Sequence, residues 1–173
     1  FVPWLDNSSI EKIACNDINP STQNLHITIK NNPSELKKYI VDIFSYVVGE
    51  YGSIDLEKQD FKLVFQDLHT QLNKLETEKI YDIESAALLM VLLNWSFSGK
   101  YELKNGVSSI STGSDMNKYT NHRLFQKIDM FNYYYNKYDV SFTVGDYKEV
   151  IKEEDSKRTL FFNDSPFIIE SNS

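Results

Sequence analysis

Three short apolar segments of this chain each run into a turn that carries an aspartate. The segments and their turn residues are Ile10–Cys15 with Asp17, Val140–Val144 with Asp146, and Thr159–Asn163 with Asp164. Short apolar runs bounded by polar residues are typical of buried strands. Ligands of open α/β sheets bind outside the carboxyl ends of the strands, so the three carboxylates are expected at one edge, at a ligand site. Taken singly, an aspartate after a strand is ordinary turn chemistry.

A block of helices separates the first of these strands from the other two. Polar residues able to begin a helix, such as Asn32 before Pro33 and Asp82, are followed by apolar residues at spacings of three and four. The predicted helices are Ser21–Lys30, a second that begins at Asn32 and ends through Gly49 and Gly52, Asp55–Lys79, Ile83–Trp95 and Asn121–Lys137. Ile83–Trp95 is apolar nearly all round, which predicts a place in the middle of the helical layer.

The periodicity changes after the fourth of these helices. From Phe97 onward, Tyr101, Leu103 and the pair Asn105-Gly106 predict a β-hairpin, because an Asn-Gly turn accepts positive φ angles. The following segment, Ser108–Thr120, is rich in polar residues and is predicted to be a loop.

The charge of the chain limits the partners that it can bind. The net charge is −7 over 173 residues. A chain of this length is expected to form one domain. Arg123 and Arg158 are its only arginines. A strongly basic nucleic-acid coat is therefore excluded, and any contact with nucleic acid must be local.

The sequence gives no support for a membrane span, an intrachain disulfide or a metal site. The apolar run Ala86–Leu93 is too short to span a bilayer, so no membrane partner is expected. Cys15 is the only cysteine, which excludes an intrachain disulfide and fits the reducing cytoplasm. His26, His69 and His122 lack the spacing of metal ligands, so no metal site is predicted.

Several segments together resemble the Dam-type, or alpha-class, adenine-specific DNA methyltransferases. Asn16–Pro20 is similar to the family's N-D-I-N turn, Ile29–Leu36 to its I-K-x-x-P-x-E-L stretch, Ala86–Tyr101 to its A-x-L-F-L…N…F-N-G-L-Y-R stretch, Val144–Val150 to its G-D-F segment, and Leu160–Phe167 to the strand that leads to D-P-P-Y. The order and spacing of the segments agree with the family from Ile13 to Phe167.

The resemblance implies a Rossmann-like, S-adenosylmethionine-dependent methyltransferase with a helical DNA-recognition insert. Residues 1–33 and 138–173 would form the cofactor and catalytic portion, and residues 34–137 the insert, with the target-recognition hairpin near 97–113. The implied partner is double-stranded DNA, and the implied reaction methylates the exocyclic amino group of an adenine that is flipped out of the duplex.

The family's catalytic motif would correspond to Asp164-Ser165-Pro166-Phe167. By this resemblance, the carboxylate of Asp164 and the backbone carbonyl of Ser165 accept hydrogen bonds from the adenine amino group. Pro166 stiffens the loop, and Phe167 stacks on the flipped base. Positioning and electrostatics would then supply most of the rate of a direct methyl transfer.

The resemblance also implies cofactor and DNA contacts. Asp17 would hold the ribose hydroxyls of S-adenosylmethionine, Asp146 the amino group of its adenine, and Tyr147 would lie beside that ring. The residues that would line the DNA-reading hairpin are Ser98, Lys100, Tyr101 and Glu102.

The chain departs from the family pattern in ways that lead to further expectations. Phe1–Asn7 contains no glycine where the family has a glycine-rich loop, so weak binding of S-adenosylmethionine by this chain alone is expected. Ser165 and Phe167 replace a proline and a tyrosine, which predicts a slower reaction. Glu102 replaces an arginine that reads guanine, so weak DNA binding without a GATC preference is expected.

The sheet is expected to be incomplete in this chain. The family's first strand and last three strands have no counterpart, so the chain is expected to be a piece, a shortened paralogue or half of a split enzyme, whose sheet another chain could complete. Two alternatives to an active methyltransferase stay open. One is a catalytically inactive member that acts as a binding or regulatory subunit, and the other is a helical interaction domain that matches the motifs by chance.

Overall fold

The chain has an α/β fold, with five helices and four short strands in the residues that the structure describes. A computed structural model describes residues 12–52, 58–104, 107–113, 121–146 and 148. The elements in chain order are β1 (Ile13–Asp17), α1 (Pro20–Asn31), α2 (Pro33–Tyr51), α3 (Lys58–Thr77), α4 (Ile83–Trp95), β2 (Ser96–Lys104), β3 (Val107–Thr112), α5 (Asn121–Lys137) and β4 (Val140–Val144). None of the helices in these ranges is long and apolar enough to cross a membrane.

Strands β1 and β4 are parallel members of one sheet, as the sequence predicts, and they pair directly with each other. Ile13 lies opposite Val140, and Asp17 lies opposite Val144. The predicted end of β1 at Cys15 is wrong, because the strand continues through Asn16 and ends at Asp17. The predicted strand Thr159–Asn163 lies outside the described residues.

Helix α4 forms the centre of the helical layer, and the prediction for it is confirmed in both bounds and position. Its residues from Ser85 to Leu92 are all buried, and α1, α2 and α3 pack against it. Asp82 and Ser85 form a reciprocal capping box at its start, which satisfies two backbone amides. At its other end, the ring of Trp95 meets Phe44 and Phe61 edge to face, at centroid distances of 5.4 and 6.1 Å.

The C-terminal end of α2 confirms the predicted stop at Gly52, whereas its N-terminal end corrects the predicted capping by the side chain of Asn32. Gly52 follows the helix in the left-handed region, with φ of 77°, as expected for a helix that ends at glycine. Gly49 lies within the helix. Asn32 stands at the N-terminal cap, but its side chain makes no capping hydrogen bond. Its backbone amide instead donates to the carbonyl oxygen of Thr28 and closes α1 at 2.8 Å.

The predicted hairpin is present, and its second strand is longer than the sequence indicates. In β2 and β3, Tyr101 pairs with Ile110 and Lys104 with Val107 in antiparallel register. The predicted loop from Ser108 is wrong up to Thr112, because these residues form β3. Ser108 and Ile110 point inward and are buried. The predicted Asn105-Gly106 turn lies outside the described residues.

Polar side chains join α1, α5 and β4 into one unit. The side-chain amide of Asn132 in α5 donates to the carbonyl oxygens of Ile29 and Lys30, both at 2.8 Å. These carbonyls belong to the last turn of α1, where helical carbonyls lack partners within the helix. The ammonium group of Lys30 then donates to the carbonyl oxygen of Val140 at 2.7 Å, which fixes the start of β4.

Candidate functional site

Asp17 and Asp146 lie at the same edge of the parallel pair. Asp17 ends β1 opposite Val144, and the backbone amide of Gly145 donates to the carbonyl oxygen of Asp17 at 3.1 Å. Asp146 is the next residue, so both carboxylates come from the carboxyl ends of adjacent parallel strands. This edge is where ligands bind in open α/β sheets.

The two carboxylates have the same local geometry. Oδ1 of Asp17 accepts a hydrogen bond from the backbone amide of Asn19 at 3.0 Å. Oδ1 of Asp146 accepts one from the amide of Lys148 at 2.9 Å. Both are Asx turns, in which an aspartate bonds the backbone two residues further on. The turns fix one oxygen of each carboxylate and leave Oδ2 for another donor.

Asn16 joins the ends of the two strands through its side chain. Its amide nitrogen donates to the carbonyl oxygen of Gly145 at 2.8 Å, and its amide oxygen accepts from the hydroxyl of Thr143 at 2.9 Å. The residue therefore extends β1 to the edge and sets the position of Asp17. The sequence pattern marks Asn16 only as a polar turn residue, because its partners lie 127 and 129 residues away.

An aromatic layer lies beneath this edge. His26 of α1 stacks on Phe142 of β4 at a centroid distance of 5.4 Å, and its Nδ1 forms a hydrogen bond with the hydroxyl of Tyr135 at 2.8 Å. Burial lowers the pKa of His26, although the Asp17 carboxylate opposes the shift. Burial also raises the pKa of the Cys15 thiol and of Tyr135. The layer thus favours uncharged groups below a charged edge.

The hairpin residues singled out from the sequence all lie in β2. Ser98 and Lys100 belong to this strand, and Glu102 lies opposite Ser109. The hydroxyl of Tyr101 donates to Oε1 of Glu76 at 2.5 Å, so this end of the side chain faces α3. Burial raises the pKa of Tyr101, and the hydrogen bond to Glu76 adds to the shift.

Phe97 is a hairpin residue that the sequence reasoning passed over as a candidate. Its side chain is 79% exposed at the start of β2, whereas Trp95 at the end of α4 is buried. A large exposed aromatic side chain next to predicted DNA contacts is a candidate for stacking on bases or for insertion between them. The sequence feature that marks Phe97 is that the helical spacing of apolar residues ends there.

A family model for D12 class N6 adenine-specific DNA methyltransferases matches residues 4–173. The chain belongs to this family. It is also similar to the Type II methyltransferase M1.LlaDCHI of Lactococcus lactis subsp. cremoris, with 22% identity over 176 residues. That match includes 97% of the chain and 56% of the relative, so the chain spans little more than half of the relative's length.

Part of the site expected for a D12 class methyltransferase is not described by the structure. Tyr147 and the segment Asp164-Ser165-Pro166-Phe167 lie outside the described residues. The described part brings Asp17 and Asp146 to one edge and holds Ser98, Lys100, Tyr101 and Glu102 in one strand. Within it, no cluster of His, Cys, Asp and Glu could hold a metal ion.

Proposed function

We propose that this chain carries out the S-adenosylmethionine-dependent methylation of the exocyclic amino group of adenine in double-stranded DNA, inside the cell. Membership of the D12 class supports the reaction. The observation that carries the proposal is the parallel register of β1 and β4, which brings the carboxylates of Asp17 and Asp146 to one sheet edge. In this proposal, residues 1–33 and 138–173 form a Rossmann-like portion, and residues 34–137 are the DNA-recognition insert.

The edge suits S-adenosylmethionine, which supplies the transferred methyl group when it is bound. Oδ2 of Asp17 is oriented by the Asx turn and can accept from the ribose hydroxyls. The neighbouring Ile18 side chain is 80% exposed and offers apolar surface beside that carboxylate. Asp146 would accept from the adenine amino group of the cofactor, and Tyr147 would pack beside its ring.

The catalytic step is assigned to Asp164-Ser165-Pro166-Phe167. The target nitrogen is a poor nucleophile, because its lone pair is delocalised into the adenine ring. In our proposal, the Asp164 carboxylate and the Ser165 carbonyl oxygen accept its two hydrogens in hydrogen bonds and favour a pyramidal nitrogen. Phe167 stacks on the flipped base, and Pro166 restricts the backbone of the loop. These contacts orient the nitrogen for an in-line displacement.

The hairpin is the proposed DNA contact. Ser98, Lys100 and Glu102 lie on β2, and Phe97 at its start presents an exposed ring. Because the net charge is −7 and Glu102 repels phosphate, we propose weak, local binding to duplex DNA.

A second candidate function is that of a catalytically inactive binding or regulatory subunit. The segment Phe1–Asn7 has no glycine, which favours weak cofactor binding by this chain alone. In the described residues, β1 and β4 form a two-stranded sheet. A further strand from another chain could pair with such a sheet and complete the site.

Transfer of a labelled methyl group from S-adenosylmethionine to duplex DNA distinguishes the two functions. With the full chain, we expect measurable adenine methylation, which Asp164→Ala abolishes and Phe167→Ala lowers. Asp42→Ala, at an exposed position of α2, is the control and keeps the native rate. Methylation that survives Asp164→Ala would disprove the catalytic assignment. DNA binding without methylation, even at high cofactor concentration, would favour the binding subunit.

A further inference from the structure

The carboxyl group of Glu76 is buried where α3, α1 and the hairpin meet. The residue is only 1% exposed. Its Oε1 accepts hydrogen bonds from the hydroxyls of Ser21, at 2.7 Å, and Tyr101, at 2.5 Å. Its Oε2 is buried and has no hydrogen-bond partner among the described residues. Burial of a carboxyl group is costly unless hydrogen bonds compensate for the lost water, so the contacts of Oε1 are important for the position of all three elements.

Glu76 belongs to a row of polar residues on one face of α3 that supports the hairpin. The row also contains His69 and Asn73, at helical spacings of four and three. Oδ1 of Asn73 accepts from the backbone amide and the hydroxyl of Ser108, at 2.7 and 2.8 Å. Nε2 of His69 lies 3.0 Å from the same hydroxyl oxygen. These two residues hold β3, whereas Glu76 holds β2 through Tyr101.

Glu76 also bonds α1, close to the carboxylate edge. Its second donor, Ser21, lies four residues after Asp17 at the start of α1. The side chain of Asn19 accepts from the backbone amide of Ser21, and the backbone amide of Asn19 donates to Asp17, both at 3.0 Å. A continuous series of hydrogen bonds and short chain segments therefore joins Asp17 to Tyr101 by way of Glu76.

We propose that Glu76 is a positioning residue that couples cofactor binding at the Asp17 edge to DNA binding at the hairpin. The inference rests on the proposed function, because it takes these two surfaces as the cofactor and DNA sites. A ligand that orders the turn from Asp17 to Ser21 also orders one donor of Glu76, and DNA on β2 orders the other donor. By thermodynamic linkage, each ligand then tightens the binding of the other by the same factor.

The coupling is measured by titrating S-adenosylhomocysteine into the full chain, with and without saturating duplex DNA of mixed sequence. In the native chain, we expect the duplex to tighten binding by about fivefold or more. Glu76→Met removes the acceptor, and we expect the ratio to fall to near one, with little change in binding without DNA. Glu76→Gln keeps an oxygen that can accept both hydrogen bonds, so most of the coupling should return.

Two further variants separate coupling from general damage. Glu78→Gln changes an exposed carboxylate two residues away and should keep the native ratio. Tyr101→Phe removes one donor and leaves the buried carboxyl in place. If Glu76→Met does not fold, Tyr101→Phe tests the coupling between cofactor binding and DNA binding instead. We expect it also to bring the ratio near one.

Failure of the coupling and failure of the proposed function give different results in these titrations. If the native chain binds both ligands independently, or if Glu76→Met and Tyr101→Phe keep the native ratio, the coupling is disproved and the proposed function stands. If the native chain binds neither ligand, the proposed function fails, and the inference fails with it.

Discussion

The carbonyl oxygen of Asp17 accepts a hydrogen bond from the backbone amide of Gly145 at 3.1 Å, and this contact lies at the exact point where both parallel strands end. A shift of one residue in the register would move Asp146 away from Asp17 and turn every side chain of the shifted strand to the other face. The side chain of Asn16, bonded to Gly145 and Thr143, opposes such a shift. The relative position of the two carboxylates is thus set by backbone and side-chain bonds together.

Asp17→Asn is expected to weaken cofactor binding and to preserve the fold. The amide oxygen of asparagine can replace Oδ1 as the acceptor for Asn19, but the charge that strengthens hydrogen bonds to hydroxyl donors is lost. We expect the dissociation constant for S-adenosylmethionine to rise by about tenfold, measured by calorimetric titration. Asp42→Asn, exposed on α2, should leave the constant unchanged. Equal affinities for the native and Asp17→Asn chains would contradict the assignment of Asp17.

Glu102→Arg is expected to strengthen DNA binding. The substitution replaces a carboxylate on β2 by a side chain that can pair with phosphate or with guanine. We expect tighter binding to a labelled duplex in fluorescence anisotropy, and a steeper dependence on salt by about one phosphate contact. Glu50→Arg, at an exposed position in the last turn of α2, makes the same change in net charge away from the hairpin. If both variants bind equally, only the net charge matters, and the hairpin is not the contact.

The sequence predicts an element best where local signals agree. Helix α4 was predicted with the bounds that the structure has, because Asp82 caps it and its residues are apolar on nearly every face. The parallel direction of β1 and β4 also follows from the sequence, since each is a short apolar run that leads into a turn with an aspartate.

Polar residues buried by distant partners could not be predicted in this way. Ser108 indicates a loop in the sequence, but it is buried in β3 because Asn73 and His69 supply its partners. Glu76 has the pattern of a charge on the exposed face of an amphipathic helix. Its burial depends on the hydroxyls of Ser21 and Tyr101, which are 55 and 25 residues away in the chain. Only the packing of α1, α3 and the hairpin brings these groups together.

Gly113→Ala tests how the hairpin is attached to α4. A Cβ atom on Gly113 would lie 2.3 Å from the carbonyl oxygen of Trp95, which the amide of Gly113 also bonds at 3.1 Å. Gly113→Ala must therefore displace the end of the hairpin, and we expect a loss of about 1–3 kcal/mol in the free energy of unfolding, measured with urea. A native-like stability of Gly113→Ala would contradict this close approach.

Gly49→Ala is the matched control for that experiment. Gly49 lies within α2, and a Cβ atom there would meet no atom of the described residues within 4 Å, apart from the adjoining residues and the backbone of its own helix. Alanine is favoured over glycine inside a helix, so we expect a gain of about 0.5–1 kcal/mol in the same urea measurement. The two variants should therefore change stability in opposite directions.

The buried His26 is expected to make the stability of the chain depend on pH. Burial lowers its pKa from the ordinary value of 6.5, so the unfolded chain binds a proton more readily than the folded chain. The contribution of neutral His26 to stability is then fully present above about pH 6.5 and is lost as the pH drops from there through the lower pKa of the folded state. Nδ1 of His26 also forms a hydrogen bond with the hydroxyl of Tyr135 at 2.8 Å, which fixes the ring in its buried position.

His26→Gln tests this dependence, because glutamine does not titrate and its amide group can still form a hydrogen bond with Tyr135. We expect the free energy of unfolding of the native chain to fall more steeply between about pH 7 and pH 5 than that of the variant. The other titratable groups of the chain are common to both proteins, so their shared contribution largely cancels when the two slopes are compared. Urea unfolding at several pH values gives both slopes. Parallel slopes would show that another group controls the response to acid, and a steeper slope for the variant would contradict the direction of the pKa shift.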